Sequence, residues 1–178
     1  MSWQLIILVH ARTYVIIDDR LENCAPPGKD LHLYDYSNFH MIPENDTHTF
    51  VNGSIKVMKE ITSPWFIHAH TEHYERGKWL LQAYTKDYKD FCTEMHNPTS
   101  PSYYVTKDYS ACPIPVGYEF KFDMVPIEFS PAVLAAIPSH YMGQWRLFID
   151  GMFDVDGIDM HECKIGFADV FVETGPKL

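Results

Sequence analysis

Tyr118-Glu119-Phe120-Lys121-Phe122 alternates aromatic and charged side chains with a period of two. Because successive residues of a β-strand point to opposite faces of a sheet, this pattern is typical of a strand with one buried face. Other stretches with strand-like alternation or composition occur along the chain, at 13–17, 31–36, 49–58, 65–70, 79–84, 145–149 and 164–172. Several short strands separated by turn signals indicate an all-β domain, either a sandwich or a barrel.

The turn signals divide the strands and leave little room for helices. Glu75-Arg76-Gly77 predicts a turn between two strands, and Asp156-Gly157 predicts a type I′ hairpin. Asn52-Gly53 is either a tight hairpin turn or an exposed point along one longer strand. A single helical turn is predicted over 88–95. We therefore expect one mostly β domain with at most one short helical turn.

Composition excludes several classes of function. The 178 residues are 46% hydrophobic and 21% charged, as in globular domains, and the aromatic share of 15% is high. A net charge of −10 repels phosphate backbones and anionic membrane surfaces, which argues against nucleic acid as a partner. No stretch reaches the roughly 18 apolar residues of a membrane span.

The cysteines and sequons indicate an extracellular protein. Cys24, Cys92, Cys112 and Cys163 form an even set without C-x-x-C spacing, which favours two structural disulfides over a zinc site or four free thiols. Four cysteines allow three connectivities, and the sequence alone does not choose among them. Asparagine glycosylation is predicted at two unblocked sequons, at Asn45 and Asn52.

The beginning of the chain has two interpretations. An apolar run at 5–9 is followed by Val9-His10-Ala11, whose spacing of small residues suits signal peptidase. The segment is short for a signal peptide and has no basic residues before the apolar run. Either the upstream part of a signal peptide is missing, or the run is an ordinary first strand. The first interpretation is favoured, so we predict a truncated signal segment at 1–11 and a single domain at 12–178.

Catalytic and metal-binding patterns are weak. His68, His70 and His73 suggest a zinc or copper site, but no cysteine or second histidine pair completes four ligands. Asp154-x-Asp156-Gly157-x-Asp159 lacks the final glutamate of a calcium loop. The chain contains no G-x-S-x-G, phosphate-loop or H-E-x-x-H motif. We expect neither an enzyme, a cofactor nor a bound metal.

A set of ordered motifs resembles the insect chemosensory protein B family. The resemblance runs from Tyr14 to about Glu173, and its motifs are 14–19, 51–57, Arg76-Gly77-Lys78-Trp79, Asp90-Phe91-Cys92, Cys112 and Cys163. That family resembles the ganglioside activator protein and the lipid-recognition sandwiches, in which two sheets splay open into an apolar cup. The fold that the resemblance implies is an all-β, two-sheet β-sandwich with an apolar cavity.

The resemblance also implies a disulfide pairing. In lipid-recognition sandwiches of this kind a cysteine near the first strand joins one in the last strand, and a second pair closes a local loop. The implied pairs are Cys24–Cys163 and Cys92–Cys112.

The cup implies a set of cavity-wall residues. Our candidates lie on predicted strands at alternating spacing, and the alternative for each is ordinary core packing. They are Phe66, Trp79, Leu81, Phe120, Phe122, Met124, Trp145, Leu147, Ile149 and Phe167. Leu134, Ile137 and Tyr141 lie in a proline-bounded segment that is either a mobile rim of the cup or a solvated loop.

The function implied by the resemblance is that of a secreted binding protein for a lipid or hydrophobic semiochemical. Such a protein acts in chemosensation, in pheromone or taste detection, with a chemosensory receptor or channel as a further partner. Two alternatives are a lipid-transfer activator that presents a glycolipid to a hydrolase, and an extracellular interaction module without a ligand.

Overall fold

The computed structural model describes residues 9–45, 48–100, 103–127 and 138–176. Most of these residues belong to strands, and the helices are single turns. The strands are β1 Val9–Asn23, β2 Tyr34–Asn45, β3 His48–Val57, β4 Phe66–Glu75, β5 Lys78–Tyr88, β6 Glu119–Ile127, β7 Gly143–Val155 and β8 Ile158–Pro176. The helices are α1 Phe91–Glu94 and α2 Tyr103–Thr106, and a 3-10 turn covers Ser139–Tyr141.

The strands form two antiparallel sheets. One sheet has five strands in the order β1-β8-β7-β4-β5, and the other has three in the order β2-β3-β6. A buried cluster joins the sheets, with Val57 and Phe120 from the smaller sheet and Ile67 and Tyr88 from the larger one. The prediction of an all-β, two-sheet sandwich is therefore confirmed.

The alternating stretch that indicated the fold forms the start of β6. Phe120 is buried in the core cluster, whereas Glu119 and Lys121 are exposed. Among the described strands, β6 lies at the edge of its sheet and pairs with β3 alone, so Pro126 removes no hydrogen bond that an inner strand would need.

Asn52-Gly53 lies within one continuous strand, so the second of its two interpretations is correct. β3 runs from His48 to Val57, and its register against β6 shifts between Val51 and Gly53. Gly53 has a φ of +97°, and a Cβ at this position would overlap the backbone carbonyl of Asn38 on β2. Glycine is required here by both the backbone conformation and the close approach of β2.

Both predicted turns are hairpin turns of two residues. Asp156 and Gly157 have φ values of 54° and 77° and connect β7 to β8, as a type I′ hairpin requires. Arg76 and Gly77, with φ values of 51° and 80°, connect β4 to β5 in the same way.

The helical structure exceeds the sequence expectation by one turn. α1 lies within the predicted 88–95 segment, and Asp90 caps its first turn. The sequence pattern does not indicate α2, which is held to α1 by the Thr106 hydroxyl donating to the Met95 carbonyl at 2.7 Å. Within the described ranges, no helix is long and apolar enough to cross a membrane.

The two disulfides connect the pairs that the resemblance implied. Cys24, which follows β1, is bonded to Cys163 of β8. Cys92 of α1 is bonded to Cys112 in the segment before β6. Two disulfides in a domain of this size are typical of extracellular proteins.

The predicted signal segment and the predicted glycosylation sites lie partly outside the described residues. Residues 1–8 of the predicted signal segment are not among them, and residues 9–11 begin β1 and pair with β8. Asn45 ends β2, and its side chain lies outside the described part of the chain. Asn52 is half-buried, and its side-chain oxygen accepts a hydrogen bond from the Met124 amide at 3.4 Å. Glycosylation at both positions stays a prediction.

Candidate functional site

An apolar cavity of about 270 Å³ lies between the two sheets. Strands of both sheets contribute to its wall, together with the residue that precedes β4. The lining residues are Leu21, Tyr34, Tyr36, Phe39, Met41, Ile55, Trp65, Ile67, Ile149, Gly151, Glu162 and Lys164.

Strand pairing brings the larger sheet's wall residues onto one face. Ile67 of β4 is directly opposite Gly151 of β7, which is opposite Glu162 of β8. Two residues further along, Ile149 is opposite Lys164. Because side chains on one strand alternate between faces and partners share a face, these five residues all point toward the smaller sheet.

Solvent exposure distinguishes two ends of the cavity. Trp65, Ile67 and Glu162 retain only 5–6% of their accessible surface, and we call this the inner end. Leu21 is 37% exposed and Ile149 is 45% exposed, and we call this the mouth. The cavity is therefore open to solvent at one end.

A partly buried ion pair forms part of the wall. The Glu162 carboxylate accepts a hydrogen bond from the Leu33 amide at 2.6 Å and lies 3.0 Å from the Lys164 ammonium. The Tyr36 hydroxyl lies 3.5 Å from the same carboxylate, and the Lys164 ammonium lies 5.2 Å from the centre of the Tyr36 ring. We call Tyr36, Glu162 and Lys164 the polar cluster.

The Tyr36 phenol stays protonated in this environment. Burial raises its pKa far above the ordinary value, and the negative charge of Glu162 raises the pKa further. The phenol is therefore available as a hydrogen-bond donor at every physiological pH.

Trp65 closes the inner end. Its ring lies edge-on to Phe91 with centroids 5.1 Å apart, and it stacks on Phe153 at 6.1 Å. Its indole N–H is buried and has no hydrogen-bond partner among the described residues. A Cβ added at Gly151 would lie 3.0 Å from the indole nitrogen, so the N–H lies against a second residue of the cavity wall.

Asp90 fixes the backbone that carries Trp65. Its carboxylate accepts hydrogen bonds from the Ser63 hydroxyl at 2.6 Å, the Trp65 amide at 3.1 Å and the Thr93 hydroxyl at 3.1 Å. It also accepts from the Cys92 amide at 3.1 Å, as the cap of α1. Burial alone would raise the pKa of Asp90, but these hydrogen bonds outweigh it and hold the pKa below its ordinary value. The Asp90-Phe91-Cys92 motif thus positions the inner end of the cavity.

Replacing Asp90 with alanine is expected to lower the free energy of unfolding by about 2 kcal/mol at neutral pH, because a helix cap and several charge-assisted hydrogen bonds are lost. Since the pKa of Asp90 is lowered in the folded protein, its contribution is present above the unfolded pKa of about 3.9. The contribution disappears as the pH falls through the folded pKa. Urea unfolding of both proteins at neutral and acidic pH measures the difference.

Asp154→Ala is the matched control for Asp90→Ala. Asp154 is exposed and accepts a hydrogen bond from the Gly157 amide at 2.9 Å. Its loss is expected to cost at most about 1 kcal/mol. Equal effects for the two variants, or an Asp90→Ala effect that grows on acidification, would contradict the role assigned to Asp90.

The predicted wall residues whose side chains are described are spread over several parts of the structure. Ile149 lines it at the mouth. Phe120 is in the buried core cluster instead. Phe122 contacts a wall residue, Phe39, with ring centroids 5.6 Å apart. Met124 is 46% exposed on the edge strand β6.

Three of the predicted residues line a different pocket. Trp79, Trp145 and Phe167 belong to a more polar pocket of about 190 Å³ that also includes Asp18, Arg20, Gln144, Ala168 and Asp169. The Arg146 guanidinium lies 4.5 Å from the Trp79 ring centre, and that of Arg20 lies 4.6 Å from the Phe167 ring centre. Arg146 and Phe167 are opposite each other on the sheet face that points away from the apolar cavity.

Three of the predicted wall residues remain: Phe66, Leu147 and Leu81. Phe66 adjoins Ile67 in β4, so it points away from the cavity. Leu147 shares the cavity face with Ile149 and is 38% exposed. Leu81 pairs with Glu72, and its side chain lies outside the described residues.

The predicted rim is described at one position. Leu134 and Ile137 lie outside the described residues, whereas Tyr141 ends the 3-10 turn. Its carbonyl accepts a hydrogen bond from the Trp145 indole at 2.8 Å. Both interpretations of 134–141, a mobile rim and a solvated loop, stay predictions.

Sequence reasoning missed most of the wall. β2 supplies the largest share of the missed residues, and the alternation at 31–36 was the available signal for the first of them. The missed residues are Leu21, Tyr34, Tyr36, Phe39, Met41, Ile55, Trp65, Ile67, Gly151, Glu162 and Lys164. The Glu162-x-Lys164 spacing, which places both charges on one strand face, could have indicated the ion pair.

The histidine-rich stretch is divided between two faces of β4. His68 lies 2.6 Å from Asp87, and the His68 and His70 rings are 5.1 Å apart. His73 points to the opposite face, where its ring nitrogen lies 3.0 Å from the Met142 carbonyl. Within 9–45, 48–100, 103–127 and 138–176, no three His, Cys, Asp or Glu side chains are grouped to hold a metal ion.

No family model matches the chain, and no curated protein is significantly similar to it. The function is therefore inferred from the cavity and the residues that line it.

Proposed function

We propose that the protein binds a lipid chain or another apolar small molecule between its sheets, and that it acts as a carrier rather than as an enzyme. The observation that carries this proposal is the apolar cavity with a buried inner end and an exposed mouth. A sandwich that served only as a scaffold would fill this space with side chains, since protein interiors are close-packed. Ligand sites are mostly apolar clefts with a few polar groups, which matches this wall.

The size of the cavity limits its ligand. A volume of about 270 Å³ lies just below the range of small-molecule sites, roughly 300–1,000 Å³. Each buried methylene contributes about 0.8 kcal/mol, so eight contribute about 6 kcal/mol before the cost of immobilisation. A medium-length chain, or one end of a longer lipid, suits the cavity best.

The proposed setting is extracellular. The two disulfides, the two sequons and the apolar beginning of the chain support secretion. The resemblance to the chemosensory protein B family supports a role in detecting hydrophobic semiochemicals, with a receptor or channel as the recipient.

The test uses the full chain secreted from eukaryotic cells. Lipid extraction and mass spectrometry should recover an apolar molecule, and the delipidated protein should bind the fluorescent probe N-phenyl-1-naphthylamine with micromolar affinity. Protein that carries no lipid and binds no probe would exclude the carrier and favour the interaction module. Transfer of glycolipid from vesicles to a hydrolase would favour the activator.

Replacing Ile149 with tryptophan is expected to weaken probe binding at least tenfold, because the larger side chain fills the mouth. Ile149 is 45% exposed, so the substitution should leave the free energy of unfolding within about 1 kcal/mol. Probe titration and urea unfolding check the two effects.

Ile158→Trp is the matched control for Ile149→Trp. Ile158 is 54% exposed at the β7–β8 hairpin and does not line the cavity. This variant should bind the probe as the wild type does. Equal weakening by both variants would place the probe outside the cavity.

A further inference from the structure

The cavity wall carries polar groups that an apolar chain does not use. Most of the wall is aliphatic or aromatic, yet the polar cluster and Trp65 belong to the same wall. A few polar groups in an otherwise apolar site fix the orientation of a ligand.

The Trp65 indole N–H lacks the partner that a buried donor requires. Trp65 keeps 6% of its accessible surface, and its ring is held between Phe91 and Phe153. Buried polar groups are almost always hydrogen-bonded, because leaving one unpaired costs its full desolvation. The absence of a partner among the described residues therefore points to an acceptor that is supplied from the cavity.

The charges in the polar cluster determine what kind of acceptor fits. Glu162 already neutralises Lys164 at 3.0 Å, and Glu162 is buried. A ligand carboxylate would compete with Glu162 for the same ammonium, and it would add a second negative charge in a low-dielectric site. An uncharged oxygen can accept a hydrogen bond from Lys164 or Trp65 without that repulsion.

We propose that the ligand is an apolar chain with one uncharged oxygen function, such as an alcohol, ketone, aldehyde or ester. Its oxygen lies within the cavity, where it accepts a hydrogen bond from the Trp65 indole or the Lys164 ammonium, and its chain lies against the apolar part of the wall. This inference rests on the proposed function and names its ligand class.

The test compares decane, decan-1-ol and decanoate as competitors of N-phenyl-1-naphthylamine. Each is titrated against the wild type and against Lys164→Met and Trp65→Phe. Both variants keep an apolar side chain but remove a donor. Each should reduce the ratio of decan-1-ol affinity to decane affinity by about tenfold, the effect of one buried hydrogen bond. Wild-type protein should also bind decan-1-ol more tightly than decanoate at neutral pH.

Lys121→Met is the matched control, because Lys121 is exposed on β6 and lies 4.0 Å from Glu119. It should leave all three affinities unchanged. The inference is overturned if Lys164→Met and Trp65→Phe weaken decane and decan-1-ol equally, or if decanoate is the tightest ligand of the wild type. Failure of all three compounds and the probe to bind would instead overturn the proposed function. Because Lys164 is partly exposed, Lys164→Met tests the ligand class even if Trp65→Phe does not fold.

Discussion

Replacing Gly53 with alanine is expected to lower the free energy of unfolding by about 3–5 kcal/mol, among the largest effects of a single methyl group. Two causes add. The φ of +97° is strained for any residue with a Cβ, and that Cβ would overlap the Asn38 carbonyl of the neighbouring strand. β2 would have to separate from β3 to accommodate it. Urea unfolding monitored by far-UV circular dichroism measures the loss.

Gly157→Ala separates the two causes. Gly157 also has a positive φ, 77°, but a Cβ there would meet no atom within 4 Å. This variant should lose only about 1 kcal/mol, the cost of the backbone conformation. If Gly53→Ala were no more destabilising than Gly157→Ala, the close approach of β2 and β3 at Asn38 would be refuted.

Removing the Cys24–Cys163 disulfide by substituting both cysteines with alanine is expected to cost about 5 kcal/mol. The two residues are 139 positions apart, so the bond restricts almost the whole unfolded chain. In the chain-entropy account the stabilisation grows with the length of the closed loop. Such a loss is a large part of a domain's total stability. Chemical unfolding of the double variant, with free thiols assayed, measures it.

The second disulfide is the matched comparison. Cys92 and Cys112 are 20 positions apart, for which the same account gives about 3 kcal/mol. The double alanine variant at Cys92 and Cys112 should therefore unfold at a higher urea concentration than the variant at Cys24 and Cys163. The reverse order would show that local packing around α1 outweighs the entropy of the unfolded chain.

The period of two identified strands but not the faces of the sheets. Phe120 and Lys121 lie as the alternation predicts. Trp79 and Phe167 fit the same alternation, yet they pack against arginines on the face away from the cavity. When aromatic residues lie on both faces of a sheet, the period of two does not show which face points toward the cavity. Only the pairing register of the strands shows it.

Local sequence patterns also do not predict contacts between segments that are distant along the chain. The Asn52-Gly53 pair has two local interpretations, and the nearness of Asn38 decides between them. Asp90 is recognisable as a cap from its neighbours, but its hydrogen bonds to Ser63 and Trp65 cross 25 or more positions. The disulfide pairing followed from the family resemblance, since spacing alone left three connectivities open.

The Cys24–Cys163 bond also makes the cavity wall depend on the redox state of its surroundings. Cys163 lies between Glu162 and Lys164 on β8, and Cys24 follows the end of β1, where Leu21 forms part of the mouth. This disulfide therefore joins the strand that carries the Glu162–Lys164 ion pair to the end of β1, near the mouth. In an oxidising exterior this disulfide persists. Inside a cell, where thiols are kept reduced, the same chain would lose this covalent link between β8 and the end of β1.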